Sequence, residues 1–412
     1  MTDGFTPITT DDQRLRQLVD YLEEHVTAFA PGAADQPPAQ PAADAGEEAV
    51  GEWLDAVREA RAEANRRVAR QDDAVVHASM LVLGAGVNHT LPFTLYRRPG
   101  TSWRQVSIAV PAEPAWAVDA LARADGGEDP MPAPKGSPAG VNPRSSVSAT
   151  IYVPEEPTGA VVVAAHGGGW WMGDGDVRDN CFGPDCAALA ERSGAVVVDV
   201  DYRLSPEHPL PAAVADLDAA VKWVRANAGD LAVDPASIVL WGVSSGGHAA
   251  ALAVLTGTEV ASLALTMPAL DQRDLGRDVT PLMFGAPVDP GTAAVSPVLA
   301  DVSGIASVHV QTASADGVVR GGAEFAEAVR AAGGRGECVE FLATHMVTAP
   351  AERRRRITDL ARHVIEVAGV PREIPEDPAG DYDKDAVDRA NEESWGRPRG
   401  TGGWAQGSAG GA

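Results

Sequence analysis

Residues 238–254 read IVLWGVSSGGHAAALAV. The four apolar residues that open the stretch predict a short strand covered on both faces. The alanine-rich run after His248 predicts a helix packed close against a sheet. Between them, Gly242-Val243-Ser244-Ser245-Gly246 matches the pattern Gly-x-Ser-x-Gly. That pentapeptide is common by chance, and an ordinary glycine-rich turn is the plain alternative. Its position decides the reading. A sharp strand-to-helix turn holds the middle serine in a strained conformation, and the flanking glycines let neighbouring backbone approach.

Similar runs lie on either side. AVVVAA (160–165), AVVVDV (195–200), SLALTM (262–267), VHVQT (308–312) and CVEFL (338–342) predict buried strands, and 147–153 alternates as a half-buried strand does. Helical stripes fall between them, through Val214, Leu217, Val221 and Val224, then Phe325 and Val329, then Ile357, Leu360, Val364 and Ile365. This alternation predicts an α/β fold with a doubly wound, mostly parallel sheet. Upstream, Leu15, Leu18, Leu22, Val26 and Phe29 predict one helix behind a Thr10/Gln13 capping box. Val50, Trp53, Val57, Ala60 and Ala64 predict a second, with a separate apolar run at 74–85. Pro-rich segments at 31–46 and 125–146 read as loops. The expected organisation is a helical extension or cap over 1–95, a catalytic domain over 96–370 with a lid near 271–300, and a Gly/Asp/Pro-rich tail over 371–412.

Charge and composition exclude several classes. With 33 Lys and Arg against 58 Asp and Glu, the net charge is −25, which disfavours nucleic acid and anionic membrane surfaces as partners. Hydrophobic residues make up 45%, enough for a large core. No signal peptide and no apolar stretch of membrane-spanning length is visible, so the expected location is cytoplasmic. Cys181, Cys186 and Cys338 suit neither a disulfide framework nor a zinc site, and read as idle thiols.

A second motif, His166-Gly167-Gly168-Gly169-Trp170-Trp171, ends the AVVVAA run. Three successive glycines leave backbone N–H groups unshielded, free to converge on a developing oxyanion. One such donor is worth roughly 3–4 kcal/mol of transition-state stabilisation. A phosphate loop would need a different helix start after the glycines, and two tryptophans stand there instead.

HGGGWW, DYRLSPEHPLPAA (201–213) and GVSSGGH (242–248) together resemble the hormone-sensitive-lipase-like branch of the α/β-hydrolase esterases, over roughly residues 147–368. The resemblance implies an α/β-hydrolase fold, Ser244 as nucleophile, and the amides of Gly167, Gly168, Gly169 and Ser245 as oxyanion donors. It also implies that the 201–213 loop buttresses the oxyanion strand. On this fold the acid and then the histidine follow the serine along the chain. His309 lies inside a strand and His363 mid-helix, whereas His345 follows a strand at the carboxyl edge of the sheet and is the candidate base. Asp316, in DGVVRGGAEFA (316–326), is preferred as the acid over Asp271, Asp289 and Asp301. Four features depart from the family pattern: Val243 precedes the serine in place of an acidic residue, Arg320 and Gly321 stand in the acid loop where a second carboxylate is usual, Met346 and Val347 follow the histidine, and the segment between Met267 and Asp316 is shorter than the usual lid insertion.

Trp170 and Trp171 read as substrate-binding walls at the mouth of the site or as aromatics covering the core. His248 reads as a packing residue without a partner, and the arginines at 353–356 as a solvated helix face. The expected function is a serine hydrolase that cleaves carboxylic esters through an acyl-enzyme, with no metal or organic cofactor, acting on a small-molecule ester. Homo-oligomer formation is left open. An amidase or deacetylase would use the same groups, and a ligand-binding hydrolase-fold protein is the non-enzyme alternative.

Overall fold

The computed structural model describes residues 12–29, 36–42, 44–83, 101–112, 117, 120, 121, 144–273 and 279–374. Thr10, most of the 125–146 loop, residues 274–278 of the expected lid and all but the first few tail residues lie outside these.

Eight strands form one sheet: β1 (Thr101–Ala109), β2 (Ser146–Pro154), β3 (Val161–Ala165), β4 (Val196–Val200), β5 (Ile238–Val243), β6 (Ser262–Thr266), β7 (Ser307–Ala313) and β8 (Arg335–Phe341). Their order is β1-β2-β4-β3-β5-β6-β7-β8. Strands β1, β2 and β4 pair antiparallel, and every pair from β4 to β8 is parallel. The chain therefore runs outward from β3 to β4, then crosses back to β5 on the other side of β3. That reversal opens a crevice beyond the carboxyl ends of β3 and β5, where ligands bind in sheets of this kind.

Alternating residues of the central strands feed two separate cores. On one face, Val161, Val163 and Ala165 pack with α4 (Pro211–Ala226), α5 (Ser245–Leu255) and α7 (Gly322–Ala331). On the other, Val162 and Ala164 pack with α3 (Gly183–Ser193) and α8 (Pro350–Ala368). Ile357, Leu360 and Val364 of α8 are essentially unexposed, each worth about 1.5–3 kcal/mol in buried apolar surface. The segment between β6 and β7, including the short helix α6 (Thr280–Phe284), joins the first core through Met283, Phe284 and Val295.

Two N-terminal helices, α1 (Asp12–His25) and α2 (Glu47–Val82), pack together and onto Val347 and Ala349 in the loop after β8. Where the sequence pattern predicts a helix and a separate run at 74–85, the structure has one 36-residue helix. The polar residues between carry no glycine or proline, and most are strong helix formers that continue the turn. Strand β1 has no counterpart in the sequence reading. As an edge strand it shows six exposed residues in nine, including Trp103, and so lacks an apolar alternation. Helix α3 was also not anticipated; it starts with a proline in its first turn and ends at Gly194 with φ +69°.

Candidate active site

Ser244 stands at the turn from β5 to α5 with φ +52° and ψ −117°, a sparsely populated conformation that costs on the order of 1–3 kcal/mol. Three backbone hydrogen bonds hold it there. Its N–H donates to Thr266 O at 2.9 Å, and its carbonyl accepts from the amides of His248 and Ala269 at 3.1 and 3.2 Å. The glycines are steric necessities. A Cβ on Gly246 would lie 2.2 Å from the His166 carbonyl, and one on Gly242 would lie 2.4 Å from the Gly246 carbonyl.

His345 occupies a tight turn after β8, closed by Thr344 N–H donating to Val347 O and Val347 N–H donating to Thr344 Oγ1, both at 2.9 Å. Its Nδ1 lies 2.9 Å from Asp316 Oδ2 and its Nε2 lies 3.0 Å from Ser244 Oγ. A carboxylate can only accept, so the proton belongs on Nδ1, and Nε2 accepts from the serine hydroxyl. Asp316 follows β7, and its other oxygen accepts from the amides of Val318 and Val319 at 2.8 and 3.0 Å. Burial works against the Asp316 charge, yet the His345 contact and the two amides hold its pKa below the ordinary value. The structure thus brings together Ser244, His345 and Asp316. Asp271, Asp289 and Asp301 make local contacts instead, with Arg273, Gly291 and Ser303.

Gly167 and Gly168 line a cavity of about 230 Å³ that also contains Ser244 and His345. Gly168 has φ +127°, and a Cβ there would lie 2.0 Å from the Met172 carbonyl, so only glycine permits this loop. Gly169, at φ +59°, and Ser245, the first residue of α5, flank the same turn. The 201–213 loop is bonded to it: Tyr202 Oη donates to His166 O at 2.6 Å, and Ser205 N–H donates to Trp170 O at 3.0 Å.

One open reading is decided and three expectations need correction. Trp170 and Trp171 are 7% and 2% exposed and neither lines the cavity, so the structure places them against the core, the other of the two readings. Trp170 turns inward at φ +69° and its indole N–H donates to His248 Nδ1. His248 does have partners, the second being the Val295 carbonyl at 3.1 Å. The described residues of the 271–300 lid line no part of the cavity. The wall facing the serine comes from α2, through Val68, Asp72 and Val75, and from residues 172–185 and 346–356. Finally, the arginines at 353–356 are not a solvated face. Arg353, Arg354 and Arg356 turn inward and only Arg355 is exposed. Arg353 bridges Asp185, Asp72 and the Cys181 carbonyl at 2.8, 3.0 and 2.5 Å. Burial opposes its charge, but the two carboxylates outweigh it and raise its pKa.

The cysteines are all free thiols, and burial pushes Cys181, in the cavity wall, up to about 12. Among the described residues, His309, Glu337 and His363 bring three ligand-type atoms within 4.8 Å of one another. The two imidazoles are stacked at 4.6 Å and 16°, so their in-plane lone pairs run side by side and do not converge on a point. No helix among the described residues is long and apolar enough to cross a membrane.

Sheet order, strand-to-helix serine and the crevice define the α/β-hydrolase fold. A family model described as alpha/beta hydrolase fold matches residues 162–347. What the chain shares with that family over this segment is the α/β-hydrolase fold. It is 35% identical over 199 residues to the carboxylesterase NlhH of Mycobacterium tuberculosis, covering 42% of this chain and 61% of that one. It is 32% identical to the carboxylic ester hydrolase LipN of the same organism, over 42% and 53%. The chain thus spans between about half and three fifths of the length of these two relatives. An ester hydrolase from a Lake Arreo metagenome shares the fold at a TM-score of 0.58 and 20% identity, over 87% of this chain and 99% of that one. An esterase of Pyrobaculum calidifontis does so at 0.55 and 22%, over 81% and 100%.

Proposed function

We propose that this protein is a carboxylesterase-type serine hydrolase working through an acyl-enzyme. The observation that carries the reading is the unbroken hydrogen-bonded chain from Ser244 Oγ through His345 to Asp316 at the mouth of a cavity. His345 takes the serine proton as Oγ attacks the ester carbonyl, and Asp316 fixes the imidazole and stabilises its cation. The amides of Gly167, Gly168, Gly169 and Ser245 are the donors for the oxyanion, and the protonated His345 then releases the alcohol. Water, deprotonated by the same imidazole, frees the acid. The names of the two mycobacterial relatives support ester over amide cleavage. Helix α2 acts as the cap: Arg61 donates to Glu207 and to the carbonyls of Trp171 and Ser205, tying the helix to the glycine loop.

Covalent labelling with a fluorophosphonate, followed by mapping of the modified peptide, tests the reading without a known substrate. The expected result is an adduct on Ser244 that disappears in His345→Ala. A folded protein that takes no label would move the ligand-binding alternative to first place.

A further inference from the structure

The cavity that holds Ser244 ends in a wall of unusual chemistry for an ester site. Asp72, Asp185, Arg353 and Arg356 all line it. The two arginines are not equally served. Arg353 makes three short hydrogen bonds, one of them to Asp185. Arg356, 8% exposed, has one contact, 3.5 Å from Nη2 to Asp185 Oδ2, and its buried Nε has no partner. A guanidinium offers five N–H donors in a planar fork. Leaving the Nε–H unmet away from bulk water costs free energy that an acceptor reaching the fork from the cavity would recover. Burial accordingly lowers its pKa, against the attraction of Asp185.

Resting on the hydrolase reading above, we propose that Arg356 is a specificity-determining residue, and that the substrate is an ester whose arm in this cavity carries an acceptor oxygen, a carbonyl or a carboxylate. A plain alkyl chain would fill the cavity while leaving the guanidinium desolvated and unpaired, and a site built around a buried polar group discriminates against such analogues. Asp72 and Asp185 already balance the two arginines in formal charge. The fork, more than net charge, is what selects.

Two series of near-isosteric esters test this. In one the acid arm varies, as para-nitrophenyl pentanoate, levulinate and hemisuccinate. In the other the alcohol arm varies, as the acetates of butanol, hydroxybutanone and hydroxypropanoate. The expected result is that in one series an acceptor-bearing ester exceeds the alkyl ester in kcat/KM by about tenfold or more. Arg356→Met should bring that ratio to about one, and Arg356→Lys, which keeps the charge without the fork, should restore part of it. Whether the ketone or the acid ranks first identifies the acceptor. Alkyl esters ranking first in both series, or Arg356→Met changing all three members alike, would overturn the proposal. A folded protein that neither labels nor turns over would sink the hydrolase reading itself, whereas one that labels without the preference would sink only the role of Arg356.

Discussion

Two histidine–aspartate pairs of similar geometry lie in this molecule, His345 with Asp316 at 2.9 Å and His309 with Asp359 at 2.7 Å. In both, burial opposes the carboxylate and the imidazole contact outweighs it, so both aspartates have lowered pKa values. Neither bond length nor titration separates them. Surroundings do. The free nitrogen of His345 faces a serine hydroxyl in an open cavity, in a loop beyond the sheet edge. His309 sits within β7, stacked on His363 of α8, and its carboxylate partner also accepts from Gln311. An imidazole–carboxylate pair is thus a structural clamp by default. It becomes a base only where the second nitrogen meets a nucleophile and a place for substrate.

The largest expected effect sharpens that contrast. Ser244→Ala or His345→Ala should lower turnover of any ester the native protein cleaves by about 10⁶-fold. His309→Asn, measured on the same ester, should stay within a few-fold. Comparable losses in both would erase the distinction.

The partner carboxylates follow at smaller magnitude. Asp316→Asn should cost about 10⁴-fold in turnover with little change in melting, because it disturbs the tautomer of His345 while leaving its position intact. Asp359→Asn should show the reverse, a loss of about 1–3 kcal/mol in denaturant unfolding with turnover nearly retained. If Asp271→Asn removes turnover and Asp316→Asn does not, the acid is misassigned.

The smallest effect is in the pH dependence of stability. Burial, then the neighbouring His309 charge, depresses the pKa of His363 to about 4, and at His248 burial does the same against the opposing hydrogen bond to the Val295 carbonyl. An unfolded histidine titrates near ~6.5. Between these values the unfolded chain binds more protons than the folded one, so stability is fully present above about 6.5 and falls as pH drops toward 4. Melting temperatures across that window should decline, and His363→Asn should flatten the slope. An unchanged slope would mean that the stack does not hold His363 neutral.

The parts of the fold read from sequence are those whose pattern is dictated locally. β3 to β7 emerge from largely apolar runs because a strand covered on both faces favours nonpolar side chains throughout, whereas β8, the far edge strand, leaves three of its seven residues exposed and is not the buried strand expected at 338–342. β1 escapes for the converse reason, since an edge strand with Trp103 exposed carries no such signature. The separate candidates Ser244, Asp316 and His345 were legible through motif and chain order, and they are the three groups that meet in space. Sequence left Trp170 and Trp171 open between substrate walls and core cover, because position next to the glycines says nothing of which way an indole turns. That choice depends on His248 and the core behind it.

Chain order and local pattern alone determined the α/β alternation, the strained serine turn and the glycines that backbone contact forbids to grow. Tertiary structure alone decided what faces the serine. Asp72 of α2, Asp185 of α3 and Arg353 of α8 meet across 281 and 168 residues of chain. Nothing in a run of four arginines says which of them will be buried or with what. Pairing of charges depends on where distant helices dock, and that is set by burying their apolar faces, not by the charges themselves.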